Sequence, residues 1–233
     1  MIDTVIILSG GLGTRLRPLT DTIPKSLLPI SGKPIIEHII IQSRKFGVSK
    51  VILSVGYKAD LIKEYFGDGS KWDVSISYSI ESEPLGTGGA IRFAARGLNK
   101  AFLLMWGDNL CDVDISALER MYEKLTCPVV MTLVEREDVE NFGVAKLEGF
   151  KILGFVEKPS RELAPSKLIN AGIFVMDPVL LSMLPLGKCS MEKDCFEKIA
   201  PLGKIGAFVH KGQWFPTDTL EKYTIANRMF CEE

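Results

Sequence analysis

The chain has 233 residues, 46% hydrophobic and 24% charged, the balance of a globular protein sized for one large α/β domain or two small ones. A formal net charge of −1 offers no basic field to recruit nucleic acid or an anionic membrane surface, and no apolar run approaches the length of a bilayer span. Five scattered cysteines without a Cys-x-x-Cys pair make poor zinc spacing and a poor disulfide framework, so reduced thiols in a cytoplasm are the expectation.

The first element is the apolar run Thr4 to Ser9, which ends in glycines and reads as a buried parallel strand. Its apolar part, Val5 to Leu8, is too short for a signal peptide. Pro34 to Phe46 carries Ile35, Ile36, Ile39 and Ile40 at helical spacing, with Gly47 as a stop. Strand Lys50 to Val55, helix Lys58 to Phe66, strand Ser75 to Ile80, helix Gly88 to Leu98 and strand Ala101 to Trp106 follow. Helix Asp114 to Leu125 and strand Cys127 to Glu135 complete the alternation. This order predicts a mainly parallel sheet covered by helices. After about residue 135 the pattern turns to short strands, Phe142 to Leu147, Lys151 to Glu157 and Ile169 to Met176. Leu220 to Phe230 reads as a closing helix. We expect a single domain over 1–233, in which 136–233 forms a smaller lobe on the same sheet as 1–135.

The chemistry concentrates after the first strand, in Gly10-Gly11-Leu12-Gly13-Thr14-Arg15, then Pro24-Lys25. Glycines following a buried strand let backbone N–H groups close on a phosphate. Arg15 and Lys25 add a planar fork and a point charge for a polyphosphate. The Walker string Gly-x-x-x-x-Gly-Lys-Ser/Thr is absent, and Leu16 stands where a dinucleotide fingerprint needs its third glycine. Asp108 follows an apolar strand and Gly107, at the strand end where open α/β sheets bind ligands, so its hard oxygens suit Mg²⁺. Asp112 and Asp114 form an Asp-x-Asp, a metal motif in many glycosyltransferases. Here it opens a helix, which favours capping. Neither His38 nor His210 stands in a nucleophile or metal arrangement.

With Glu83-Pro84-Leu85-Gly86-Thr87-Gly88-Gly89, Gly107-Asp108-Asn109, Phe155-Val156-Glu157-Lys158-Pro159, Asn170-Ala171-Gly172 and Trp214 to Asp218 in order, the chain resembles the sugar-1-phosphate nucleotidyltransferase family along nearly its whole length. The resemblance implies a Rossmann-like fold and an Mg²⁺-dependent reaction of a nucleoside triphosphate with a sugar 1-phosphate. It implies Arg15 and Lys25 as catalytic residues and Gly10, Gly11, Gly13, Thr14, Glu81, Gly86 and Thr87 at the nucleotide. Gly143, Glu157, Lys158, Asn170 and Gly172 fall at the sugar phosphate, which makes 1–135 the nucleotide-binding part and 136–233 the sugar-phosphate-binding part. For the metal it implies Asp108 and a second carboxylate. The family's Trp-x-Asp string reads Trp214-Phe215-Pro216-Thr217-Asp218-Thr219 here, so either Pro216 has replaced the aspartate or Asp218 takes its place. We take Asp218, because Trp-x-Pro-x-Asp-Thr resembles the cytidylyl-transferring branch.

Glu81 and Glu83 precede the Leu-Gly-Thr-Gly-Gly turn that reads the base in this family. A carboxylate matches the paired donors of guanine, and the turn resembles guanylyltransferases of mannose and heptose phosphates, so we expect GTP. Uridylyl, cytidylyl or thymidylyl transfer to glucose 1-phosphate, or a related sugar, is the alternative. A non-catalytic sugar-nucleotide-binding module and a glycosyltransferase are readings from other classes. The family's frequent C-terminal left-handed β-helix is not expected. No nucleic-acid or membrane partner is expected, and homo-oligomerisation stays open.

Overall fold

The computed structural model describes residues 2–231. In chain order its elements are β1 (Thr4–Ser9), β2 (Pro29–Ile30), β3 (Lys33–Pro34), α1 (Ile35–Lys45), β4 (Lys50–Val55), α2 (Ala59–Phe66), β5 (Ser75–Ile80), α3 (Gly86–Ala94), β6 (Phe102–Trp106) and β7 (Asn109–Cys111). There follow α4 (Ile115–Leu125), β8 (Val129–Glu135), β9 (Gly143–Glu148), β10 (Lys151–Glu157), β11 (Leu168–Met176), α5 (Glu197–Ile199), β12 (Ile205–Val209), β13 (Trp214–Pro216) and α6 (Leu220–Met229). Two compact units share the chain. The first holds the residues up to Pro84, Met105–Val113 and those from Gly212 on, and the second holds Leu85–Leu104 and Asp114–Lys211. The sequence expectation instead divides the chain once, near residue 135. The segment from Gly212 returns to the first unit because β13 pairs with β7, Trp214 opposite Cys111 and Pro216 opposite Asn109.

In the first unit β4 runs parallel to both β1 and β5, with Val5 opposite Val51 and Val51 opposite Ile76. Val5, Ile6 and Ile7 are fully buried, as a strand covered on both faces requires. Helix α1 buries Ile35, Ile36, Ile39 and Ile40, the stripe that the isoleucine spacing predicts. It stops before Gly47, whose φ of 91° suits glycine. Helix α6 begins at Thr219, whose hydroxyl accepts the Lys222 N–H. Its Tyr223 hydroxyl donates to the Pro29 carbonyl.

The second unit orders its strands β11-β8-β12-β10-β9. Here β8 and β12 are parallel, whereas β11–β8, β10–β12 and β10–β9 are antiparallel. In the first unit β1, β4 and β5 pair in parallel while the small ladders β2–β3 and β13–β7 are antiparallel, and the strands of the second unit are mixed. The cause is loop length: only Gly149 and Phe150 separate β9 from β10, and a two-residue connection can join only antiparallel neighbours. Helix α3 runs from Gly86 to Ala94, where the sequence suggests Gly88 to Leu98. Gly97, at φ 84°, closes it early. Glu192–Phe196 and α5 form a helical segment that the sequence reading omits. Its apolar residues Met191, Cys195, Phe196 and Ile199 are all buried, and Phe196 stacks on Phe174 at 5.4 Å. Among the described residues, no helix is long and apolar enough to cross a membrane.

Candidate active site

In the first unit, β1 runs out at Ser9 into the glycine loop, and Gly13 (φ 63°) opens a 3-10 turn over Thr14–Leu16. The Gly13 carbonyl accepts the Leu16 N–H at 2.9 Å and the Thr20 hydroxyl at 2.8 Å. A Cβ at Gly13 would press on Thr20 and on Lys25 Cβ, so this glycine is needed for both its φ and its space. A Cβ at Gly10 would stand 3.1 Å from Glu81 Oε1, whereas one at Gly11 would meet nothing within 4 Å. Glu81 thus lies against the loop it is predicted to serve, and Gly11, Thr14 and Arg15 face solvent. Buried Leu16 anchors the turn beneath them.

The cations and carboxylates picked out in the sequence are paired. Lys25 Nζ bonds Asp108 Oδ2, and Arg15 Nη1 lies 2.7 Å from Asp218 Oδ2. Asp108 reaches this place because Gly107 donates to the Leu8 carbonyl at 2.8 Å. A Cβ on Gly107 would collide with Ser9 Oγ and Leu8 O. Two residues that the sequence reading passes over complete the group. Buried Thr217 donates from both its N–H (2.9 Å) and its hydroxyl (2.8 Å) to the Asp108 carbonyl. Lys222 Nζ lies 3.1 Å from Asp218 Oδ1. Lys222 could have been noticed in the sequence, since a lysine in a helix's first turn opposes the macrodipole. Two carboxylates brought together this way, one already bracketed by two cations, are a hard-oxygen donor set that fits Mg²⁺.

In the second unit, Gly143 stands opposite Glu157 across β9–β10. A Cβ there would strike the Phe155 ring and come within 2.9 Å of Glu157 Oε2. One step away, Val144 pairs with Ile169. There β11 breaks register between Asn170 and Phe174, and Asn170 Oδ1 accepts the Gly172 N–H at 2.9 Å. Gly143, Glu157, Asn170 and Gly172 are therefore neighbours, as the sequence expectation groups them. Lys158 adopts φ 50°, with its Nζ 3.5 Å from Glu157 Oε1. Burial pushes the Glu157 carboxyl above its ordinary range, and the Glu192 and Glu197 charges add to this against the opposing pull of Lys158.

Gly86 and Thr87, predicted at the nucleotide, are engaged with the chain itself. The Thr87 hydroxyl donates to Glu192 Oε2 at 2.6 Å and accepts the Met191 N–H at 2.9 Å. A Cβ at Gly86 would meet Cys189 O at 2.5 Å, and one at Gly89 would meet Gly187 O at 2.7 Å. These glycines admit the segment 187–191, and that packing shapes the turn. Glu192, which also accepts the Ser190 hydroxyl at 2.7 Å, is a further residue that the sequence reading did not single out. Asp114 caps α4, its carboxylate accepting the Ala117 N–H at 2.9 Å, so the Asp-x-Asp string opens a helix as its position suggests.

The profile of the nucleotidyl transferase family matches residues 4–233. The chain belongs to this family. It is 34% identical over 227 residues to a mannose-1-phosphate guanylyltransferase of Mycobacterium tuberculosis, covering 95% of this chain and 62% of that one. Across the first relatives matched, it spans between 50% and 62% of their length. Among solved structures, HddC from Yersinia pseudotuberculosis complexed with GMP-PN superposes with a TM-score of 0.82 at 31% identity, over 99% of this chain and 100% of that chain. A UDP-glucose pyrophosphorylase complexed with UDP-glucose gives 0.85 at 26% identity, over 98% of each. The α/β fold is that of these nucleotidyltransferases.

Proposed function

We propose that the chain transfers a nucleotidyl group from a nucleoside triphosphate to a sugar 1-phosphate and releases pyrophosphate. The observation that carries this reading is the pairing of Arg15 with Asp218 and of Lys25 with Asp108 beside the Gly10–Gly13 loop. A phosphate oxygen of the sugar 1-phosphate attacks the α-phosphorus, and the bond from that phosphorus to the β-phosphate oxygen breaks. The electron pair leaves with pyrophosphate. The attacking phosphate is already an anion, so no general base is needed, and catalysis is positioning with charge neutralisation. Gly11 and Thr14 offer backbone to the triphosphate, and Arg15 and Lys25 neutralise it. Lys158 holds the sugar phosphate, while Glu157 and Asn170 accept or donate at the sugar hydroxyls. Mg²⁺, held by Asp108 and Asp218, would add positive charge at the phosphate oxygens.

GTP with mannose or heptose 1-phosphate is the preferred pair, supported by the guanylyltransferase relative and by the neighbour complexed with GMP-PN. The likeness to a UDP-glucose pyrophosphorylase supports UTP with glucose 1-phosphate as the second reading. Cytoplasmic residence fits substrates of this kind. The test is pyrophosphate release from GTP, CTP, UTP and dTTP against mannose, glucose and heptose 1-phosphates with Mg²⁺. Release that requires both substrates is expected. Folded protein that binds nucleotide but releases nothing with any pair refutes the reading in favour of a binding module.

A further inference from the structure

The two-stranded ladder of β13 and β7 leads directly to the two carboxylates. Its pairs are Trp214 with Cys111, Phe215 with Leu110 and Pro216 with Asn109. Pro216 falls in a non-hydrogen-bonded pair, where its missing N–H costs the ladder nothing, because the bonded pairs alternate from Asp112 N–H with the Gln213 carbonyl to Thr217 N–H with the Asp108 carbonyl. Thr217 is thus the last bonded position of the ladder, next to Asp108. Thr217 gives two donors to a single carbonyl, that of Asp108, and is itself fully buried. Asp218 follows directly, so these two hydrogen bonds tie together the backbone from which both carboxylates project. Lys222 then holds Asp218 Oδ1 at 3.1 Å, with both side chains largely shielded from solvent. Arg15, on the other oxygen, is 64% exposed.

From this geometry we propose that Thr217 is a positioning residue, a clamp that joins Asp108 to Asp218 and presets the pair for a divalent cation. The inference rests on the metal role of the two aspartates given under the proposed function. The hydroxyl adds a second bond to the ordinary ladder bond that the Thr217 N–H makes with the same carbonyl. Removing the hydroxyl with Thr217→Val leaves shape and the N–H bond, but only half of the clamp. One lost buried hydrogen bond corresponds to about a five- to tenfold effect, and it should fall on cation affinity because the carboxylates are what it orients.

The experiment is Mn²⁺ titration of the whole protein without substrates, followed by the electron paramagnetic resonance of free Mn²⁺, with melting curves alongside. Thr217→Val should weaken Mn²⁺ binding about five- to tenfold, and Thr217→Ser should restore it. A merely structural threonine would lower the melting temperature and leave the affinity alone. Equal Mn²⁺ affinity in wild type and Thr217→Val overturns the proposal, as does a wild type that binds no Mn²⁺. If the valine variant does not fold, Thr217→Ala compared with Thr217→Ser decides by the same readout. A wild type that binds Mn²⁺ through this clamp, yet releases pyrophosphate from no substrate pair, refutes the transferase reading and leaves the clamp standing.

Discussion

Replacing Arg15 with alanine separates catalysis from stability. The guanidinium is 64% exposed and pairs with Asp218, 2.7 Å away. An exposed ion pair of this kind contributes about 0–1 kcal/mol, so the fold loses little when it goes. For a chain of this size that is a melting shift of at most about 2–4 °C. The same weakness lets the guanidinium exchange Asp218 for a phosphate. If it then meets charge developing on the triphosphate, its loss should lower kcat by about 10²–10³-fold, the scale of one oriented transition-state donor. Arg15→Lys keeps the charge without the fork and should fall between wild type and alanine. The assay is coupled pyrophosphate release at saturating substrates, with melting curves on the same preparations. An alanine variant within threefold of wild-type kcat refutes the assignment. So does a large melting loss, since the residue would then be structural.

Asp114→Ala should remove the cap of α4 at a cost of about 1 kcal/mol, read as a lower melting temperature with kcat unchanged. Loss of activity there would favour the glycosyltransferase reading of Asp112 and Asp114. Gly143→Ala drives a Cβ into the Phe155 ring and towards Glu157 Oε2. It should cost about 1–3 kcal/mol of stability and raise the KM for the sugar phosphate more than that for the triphosphate. Glu157 has its folded pKa raised by burial and by Glu192, so between about pH 4.5 and that raised value the native state holds more protons than the unfolded chain. Stability falls as pH rises through this window. Glu157→Gln should therefore raise the melting temperature at pH 7 relative to wild type and lose that advantage near pH 4. An equal offset at both pH values would contradict the burial argument.

Much of the first unit was legible in sequence because its signals are local. Val5, Ile6 and Ile7 announce a strand covered on both faces. The isoleucines of α1 repeat at helical spacing, and Gly10–Gly13 follows a strand as phosphate loops do. The second unit was less legible. The Asn170–Gly172 irregularity and the mixed pairing of β8 to β12 depend on partners far along the chain. The helical segment Glu192–Ile199 carries an apolar spacing in Met191, Cys195, Phe196 and Ile199, too short a run to stand out among the neighbouring short strands.

The sequence by itself determined the residue types on which the proposed chemistry rests, Arg15, Lys25, Asp108 and Lys158, and their order, because a motif is a local arrangement of charge and backbone freedom. The sequence already favoured Asp218 over a simple replacement of the family's aspartate by Pro216, but only the tertiary structure shows how Asp218 is held. Thr217 bonds the Asp108 carbonyl twice, and Asp218 carries Arg15 and Lys222. The tertiary structure also decided that Thr87 is held by Glu192, 105 residues away. Contacts at such separation follow from how strands and loops pack, and no spacing along the chain encodes them.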